Sequence, residues 1–318
     1  MELSPAELAA LAPTPDPAAE PEGFLVEVAP GTRIHFLDWA GPTDPTRSGV
    51  LLVHGLSATA WAWTAVARRL RRAVRTVAVD LRGHGLSDAP TTEYDPTALA
   101  GDMVAVAEGA GLVAAGPPPG GGVRRERVVL AGHGFGAMVA AWAAVELGER
   151  CAGLVLVDGG WQDVAAETGL TPAEWLRDLA EPPEVMRSME AFLEDRRSWD
   201  PGRWDADEER AARSTVVAVP AGHVVAAIRP HALERSVEAM FGYRPTKALG
   251  RLEVPIVALV AADDEDASKT AALAELDAER RAAGRAPIAV ARFPRDGHNL
   301  PRYRPADVAG AILRLAGR

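Results

Sequence analysis

Short apolar runs separated by stretches of helical period dominate the chain. The runs at 50–53, 76–79, 127–130 and 154–157 alternate with helix-period segments at 60–72, 96–110 and 137–147. Apolar runs without strict alternation suit strands buried on both faces, so this rhythm predicts βαβ crossovers and a mostly parallel sheet covered by helices. Ahead of it, two β-rich runs at 24–28 and 33–39 flank Pro30-Gly31 and read as an opening hairpin. From 161 to 244 no strand pattern is evident; helical periodicity, four tryptophans and many acidic residues predict an inserted helical lid. Strand, helix, strand and helix then resume at 255–260, 268–283, 288–293 and 306–315, and these later strands can rejoin the first sheet. The expected organisation is a flexible leader at 1–22, an α/β core formed by 23–160 and 245–318, and the lid at 161–244.

Composition narrows the function classes. At 318 residues, with 48% hydrophobic and 25% charged positions, the chain has ample apolar surface for one large core. A net charge of −10 leaves no basic footprint for nucleic acid or an anionic membrane. No run approaches the roughly 20 apolar residues of a membrane helix, and residues 1–22 lack the charged and apolar regions of a signal peptide. The single Cys151 precludes an internal disulfide and fits a cytoplasmic location. Gly116 to Gly122, with three prolines followed by three glycines, reads as a flexible loop between a helix and a strand.

The informative stretch is Gly132-His133-Gly134-Phe135-Gly136, between a predicted strand and a predicted helix. Upstream lie His54-Gly55-Leu56, at the end of a strand, and Asp80-Leu81-Arg82-Gly83-His84-Gly85-Leu86-Ser87. Downstream, Asp264 follows one strand and His298 follows the last. Together these segments resemble the α/β-hydrolase superfamily, whose nucleophile elbow is G-x-S-x-G on a strand-to-helix turn. The resemblance runs over about residues 24 to 318 and departs at one point, where Gly134 replaces the serine. It implies an α/β-hydrolase fold with helices on both sheet faces, an oxyanion hole from the Leu56 and Phe135 amides, and catalytic positions at Gly134, Asp264 and His298. Asp263 is a register alternative for the acid, and Asp158 another, because some relatives carry the acid after the earlier strand. Trp161, Trp175, Trp199 and Trp204 are candidates to roof an apolar substrate pocket, with packing inside the lid as the competing explanation. Nothing has zinc-type spacing, and no cofactor or metal is implied.

Gly134 excludes an acyl-enzyme on its own side chain. Glycine also suits the positive φ that an elbow requires, so the turn should persist, with a small void beside His298. The chain is then a substrate-trapping variant lacking its nucleophile or a natural nucleophile-less enzyme. The leading expectation is a hydrolase acting on an ester, lactone or related acyl group of a small, partly apolar substrate, with His298 activating water. A cofactor-independent general-base enzyme (lyase, cyclase or oxygenase) and a non-catalytic binding protein are the alternatives. Oligomeric state is left open.

Overall fold

The computed structural model describes residues 1–42, 47–115, 126–261 and 267–317; the Pro/Gly-rich loop, Asp263 and Asp264 lie outside these. The opening hairpin is β1 (Glu22–Ala29) and β2 (Thr32–Asp38), followed by β3 (Gly49–Val53), β4 (Thr76–Val79), β5 (Val128–His133) and β6 (Cys151–Val157). A separate hairpin, β7 (Val216–Ala218) with β8 (Val224–Ala226), lies in the segment that follows, before β9 (Ile256–Ala261) and β10 (Ala289–Phe293). The main sheet has the order β1-β2-β4-β3-β5-β6-β9-β10, parallel from β4 onward and antiparallel where β2 meets β1 and β4. This is the doubly wound α/β-hydrolase arrangement that the sequence predicts.

Alternation along each strand sends side chains to opposite faces. Leu51, Val53, Leu130, Leu154 and Leu156 pack with the Pro96–Gly109 and Phe135–Leu147 helices. Val50, Leu52, Val129, Val155 and Val157 pack with the Thr64–Leu70 and Pro305–Ala316 helices. Burial on both sides explains the unbroken apolar runs. Pro96–Gly109 starts crisply because the Asp95 carboxylate accepts the Thr97 and Ala98 amides at 2.9 and 3.2 Å, with proline in the first turn.

Two expectations need correction. The leader is docked rather than loose: the Pro5–Leu11 helix buries Leu8 against the second core, and Leu3 N–H donates to the Val290 carbonyl at 2.7 Å, alongside β10. Its apolar positions supply a face, which its proline and acidic content obscured. The 161–244 segment is mostly helical but contains the β7–β8 hairpin; three-residue strands are too short to show a period of two.

The chain leaves β3 for β4 on one side and β5 for β6 on the other, so the winding reverses between β3 and β5. At such a switch point the loops leaving the carboxyl ends diverge and open a crevice. His54-Gly55 follows β3 and Gly134 follows β5, which places both motifs there.

Candidate active site

Gly134 is the turn between β5 and the Phe135–Leu147 helix, with φ 54° and ψ −118°, a region that residues with a side chain enter only under strain. The turn is held by Gly134 N–H to the Val157 carbonyl and Ala137 N–H to the Gly134 carbonyl, both 3.1 Å. Gly136 allows the β3 turn to come close: a Cβ there would lie 2.2 Å from the His54 carbonyl oxygen. The sequence spacing therefore creates the elbow geometry without a serine. Phe135 begins the helix, so its N–H has no intrahelical acceptor and sits at the positive end of the helix dipole. The Gly55 Cα is 4.0 Å from where a residue-134 Cβ would stand, which puts the turn carrying Leu56 across from it.

His298 closes the other side. Its Nδ1 lies 2.6 Å from Asp158 Oδ2, while its Nε2 lies 3.1 Å from the position of a residue-134 Cβ. Asp158 follows β6 at a φ of 42°, and its other carboxylate oxygen accepts the Ala261 N–H at 3.0 Å. Lys269 Nζ is 3.5 Å from that oxygen and donates to the Ala261 carbonyl at 3.0 Å. Among the described residues the carboxylate bonded to His298 is thus Asp158, one of the alternatives read from the sequence; Asp264 lies outside them. The reason is topological: β6 is the direct neighbour of β5, so its carboxyl end reaches the histidine beside the elbow. Beside the glycine, the imidazole edge stands 3.1 Å from where a nucleophile's β-carbon would be.

Three other histidines act as neutral hydrogen-bonding struts. His54 Nδ1–H donates to the Gly55 carbonyl at 2.7 Å and its Nε2 accepts the Leu81 N–H at 3.0 Å; burial pushes its pKa down. His84 accepts the Ser57 N–H, and burial, followed by neighbouring His54, pushes it down to about 3. His133 donates from Nε2 to the His298 carbonyl at 2.9 Å, and burial, followed by His298, again pushes it down to about 3. His133 therefore braces the backbone of the histidine whose ring it faces at 4.4 Å.

The Asp80-to-Ser87 segment forms a frame beneath these struts. Burial disfavours the Asp80 anion, yet the His35 hydrogen bond, nearby His54 and the Ala60 and Leu86 amides outweigh it and lower the pKa. Arg82 makes two 2.7 Å bonds to Asp102 on the Pro96–Gly109 helix, with the side chains 3% and 1% exposed.

The four tryptophans do not converge. Trp161 is wholly buried in the main core, and Trp175 packs edge-on to Phe241. Trp204 packs in a small cluster with Phe192 and Leu193, while Trp199 is 62% exposed and lies under the Arg196 guanidinium. A recess of about 570 Å³ between the Met189–Trp199 and Ala206–Ser214 helices is lined by five charged residues with Met189 and Leu193, and neither Gly134, His298 nor Asp158 lines it. The reacting geometry therefore marks the site better than cavity size does. Sequence reasoning missed Lys269; its available signal was rarity, as it is one of only two lysines in an arginine-rich chain.

An elbow at a switch point, flanked by a glycine turn and a histidine–aspartate pair, defines the class of α/β-hydrolase-fold proteins. Residues 50–311 match the model of the Alpha/beta hydrolase family, and the chain belongs to that family. It is similar to N-formylmaleamate deformylase of Pseudomonas putida, with 34% identity over 41% of this chain and 42% of that protein. It is also similar to 2-(acetamidomethylene)succinate hydrolase of Mesorhizobium japonicum, with 31% identity over 34% of each chain. These alignments span less than half the length of the curated relatives. The crystal structure of E-2-(acetamidomethylene)succinate hydrolase superposes with a TM-score of 0.68 at 18% identity, covering 93% of this chain and 98% of the other.

Proposed function

We propose that this chain is a hydrolase acting at the acyl carbon of an ester, lactone or related small, partly apolar substrate, and that its chemistry runs through the His298 imidazole rather than through residue 134. The observation that carries this reading is His298 itself: one nitrogen is 2.6 Å from the Asp158 carboxylate and the other abuts the elbow. The Asp158 bond fixes the tautomer with hydrogen on Nδ1, so Nε2 presents its lone pair. The Phe135 and Leu56 amides are assigned to the oxyanion that develops on the substrate carbonyl. Relatives named as a deformylase and a hydrolase support the same reaction class.

The segment at 161–244 is assigned as a lid. Thr59 Oγ1 and Ser214 Oγ meet at 2.6 Å, and Arg302 Nε is 3.2 Å from Glu208, which fastens the Ala206–Ser214 helix to the turn after Leu56 and to the short Leu300–Tyr303 helix after His298. The test is hydrolysis of aryl esters and lactones of graded chain length by the wild-type chain and by His298→Ala. Turnover that disappears with the imidazole supports the proposal; turnover that survives it removes the site.

A second reading, cofactor-independent proton abstraction, is favoured by the missing hydroxyl, since a basic dyad needs none. It would show as His298-dependent deuterium exchange into a carbon acid without ester cleavage.

A further inference from the structure

We infer that His298 is a nucleophile in its own right, forming an acyl-imidazole through Nε2 at the site where a serine ester would otherwise form. This rests on the acyl-hydrolase reading above and deepens it.

The argument begins with space. Ordinary contacts of a Cβ fall at 3.4–4 Å, yet His298 Nε2 and Cε1 stand 3.1 and 3.4 Å from where a residue-134 Cβ would be. The imidazole edge thus stands against the elbow, a few tenths of an ångström closer than a side chain there would ordinarily leave it. A water cannot replace that side chain in place. A serine hydroxyl oxygen is two bonds from its own Cα, nearer than an unbonded water can approach the same carbon. Water bonded to Nε2 must therefore sit outward from the elbow. In the inferred attack, by contrast, a substrate carbonyl drawn toward the N–H of Phe135, the residue next to Gly134, meets the imidazole edge directly. Direct attack needs only the roughly 3–3.5 Å of a near-attack conformer.

The imidazole is also held for this task. The Nδ1–Asp158 bond orients the ring, Ala261 N–H and Lys269 hold the carboxylate, and His133 and Leu300 N–H both donate to the His298 carbonyl at 2.9 Å. Asp158 is 1% exposed at its side chain, so it meets a developing imidazolium in a water-poor setting. The His298 side chain is 61% exposed, which leaves the acylated ring open to water.

The steps balance as follows. The Nε2 lone pair attacks the acyl carbon, the tetrahedral oxyanion collapses, and the bond to the leaving oxygen breaks with its electron pair. The leaving alkoxide or phenoxide takes a proton from solvent. The acyl-imidazolium keeps its Nδ1 proton against Asp158. Water then attacks the acyl carbon, Nε2 departs with its electron pair, and the proton of that water passes to solvent. The net reaction is ester plus water giving acid plus alcohol.

The experiment uses the full chain with para-nitrophenyl, meta-nitrophenyl and phenyl acetate in the presence of hydroxylamine, with para-nitrophenyl dimethylcarbamate as a slow-releasing trap. A shared acyl-imidazole gives the same hydroxamate-to-acetate ratio from all three acetates, and peptide mapping finds one carbamoyl group on His298, lost in His298→Ala. If the ratio follows the leaving group and His298 stays unmodified while turnover still needs it, water is the attacking species; this inference falls and the hydrolase reading stands. A carbamoyl group on another residue likewise overturns the inference. If neither turnover nor modification depends on His298, both readings fall.

Discussion

Replacing Gly134 by Ala and by Ser separates backbone strain from chemistry. At φ 54° and ψ −118° a residue with a Cβ is strained by about 1–3 kcal/mol. Loss of glycine's freedom in the unfolded chain offsets about 0.4–1 kcal/mol. The Cβ must also move the His298 ring by a few tenths of an ångström, a small demand on a mostly exposed side chain. Both variants should therefore be less stable than the parent by about 1–2 kcal/mol, read as a shift of the urea midpoint at unchanged slope. Their activities should diverge. Ser places a hydroxyl between His298 and the oxyanion donors and should give a stoichiometric burst with para-nitrophenyl esters, whereas Ala crowds Nε2, supplies no nucleophile and should lower turnover. A neutral or stabilising Gly134→Ala would refute the strain argument. A Ser variant that folds but shows no burst with short, long or cyclic esters would refute the assignment of an intact elbow around position 134.

Asp158→Asn should lower His298-dependent turnover by about 10²–10⁴-fold while leaving the fold intact, and parallel kinetics of Asp264→Asn tell the two carboxylates apart. Asp102→Ala leaves the buried Arg82 guanidinium without its two-bond partner and should destabilise the chain by about 3–5 kcal/mol in urea unfolding. Burial, partly offset by Arg302, pushes Glu208 up to about 7 from an ordinary 4.5. Because the folded pKa is the higher one, this group's contribution favours the folded state below about pH 4.5 and is lost as pH rises through 7; Glu208→Gln should flatten that part of the stability–pH curve.

The core was legible because strands buried on both faces leave uninterrupted apolar runs, and β3 to β6 coincide with such runs to within a few residues. Elements whose signal is short or tertiary were not. β7 and β8 are three residues each, and the Pro5–Leu11 helix becomes an element only when Leu8 finds the last helix and the sheet edge to pack against. The tryptophan cluster failed for a related reason: proximity in sequence carries no direction, and Trp161 turns into the core while Trp199 turns to solvent. Asp158 and Asp264 each follow a core strand, so spacing could not choose between them; adjacency of β5 and β6 brings Asp158 to His298.

Of the features gathered around Gly134, the turn is the weakest evidence for chemistry. Glycine removes the strain that would otherwise mark a functional elbow, so the loop could keep this shape at little energetic expense after catalysis had ceased. Asp158 is different. A carboxylate taken out of water loses several kcal/mol of solvation, which pairing with an exposed histidine and a partly exposed lysine repays incompletely. Stability alone gives little reason to keep that trio at the carboxyl end of β6. A carboxylate that must hold one imidazole nitrogen so that the other faces the crevice gives a direct reason, and it requires the orientation His298 adopts.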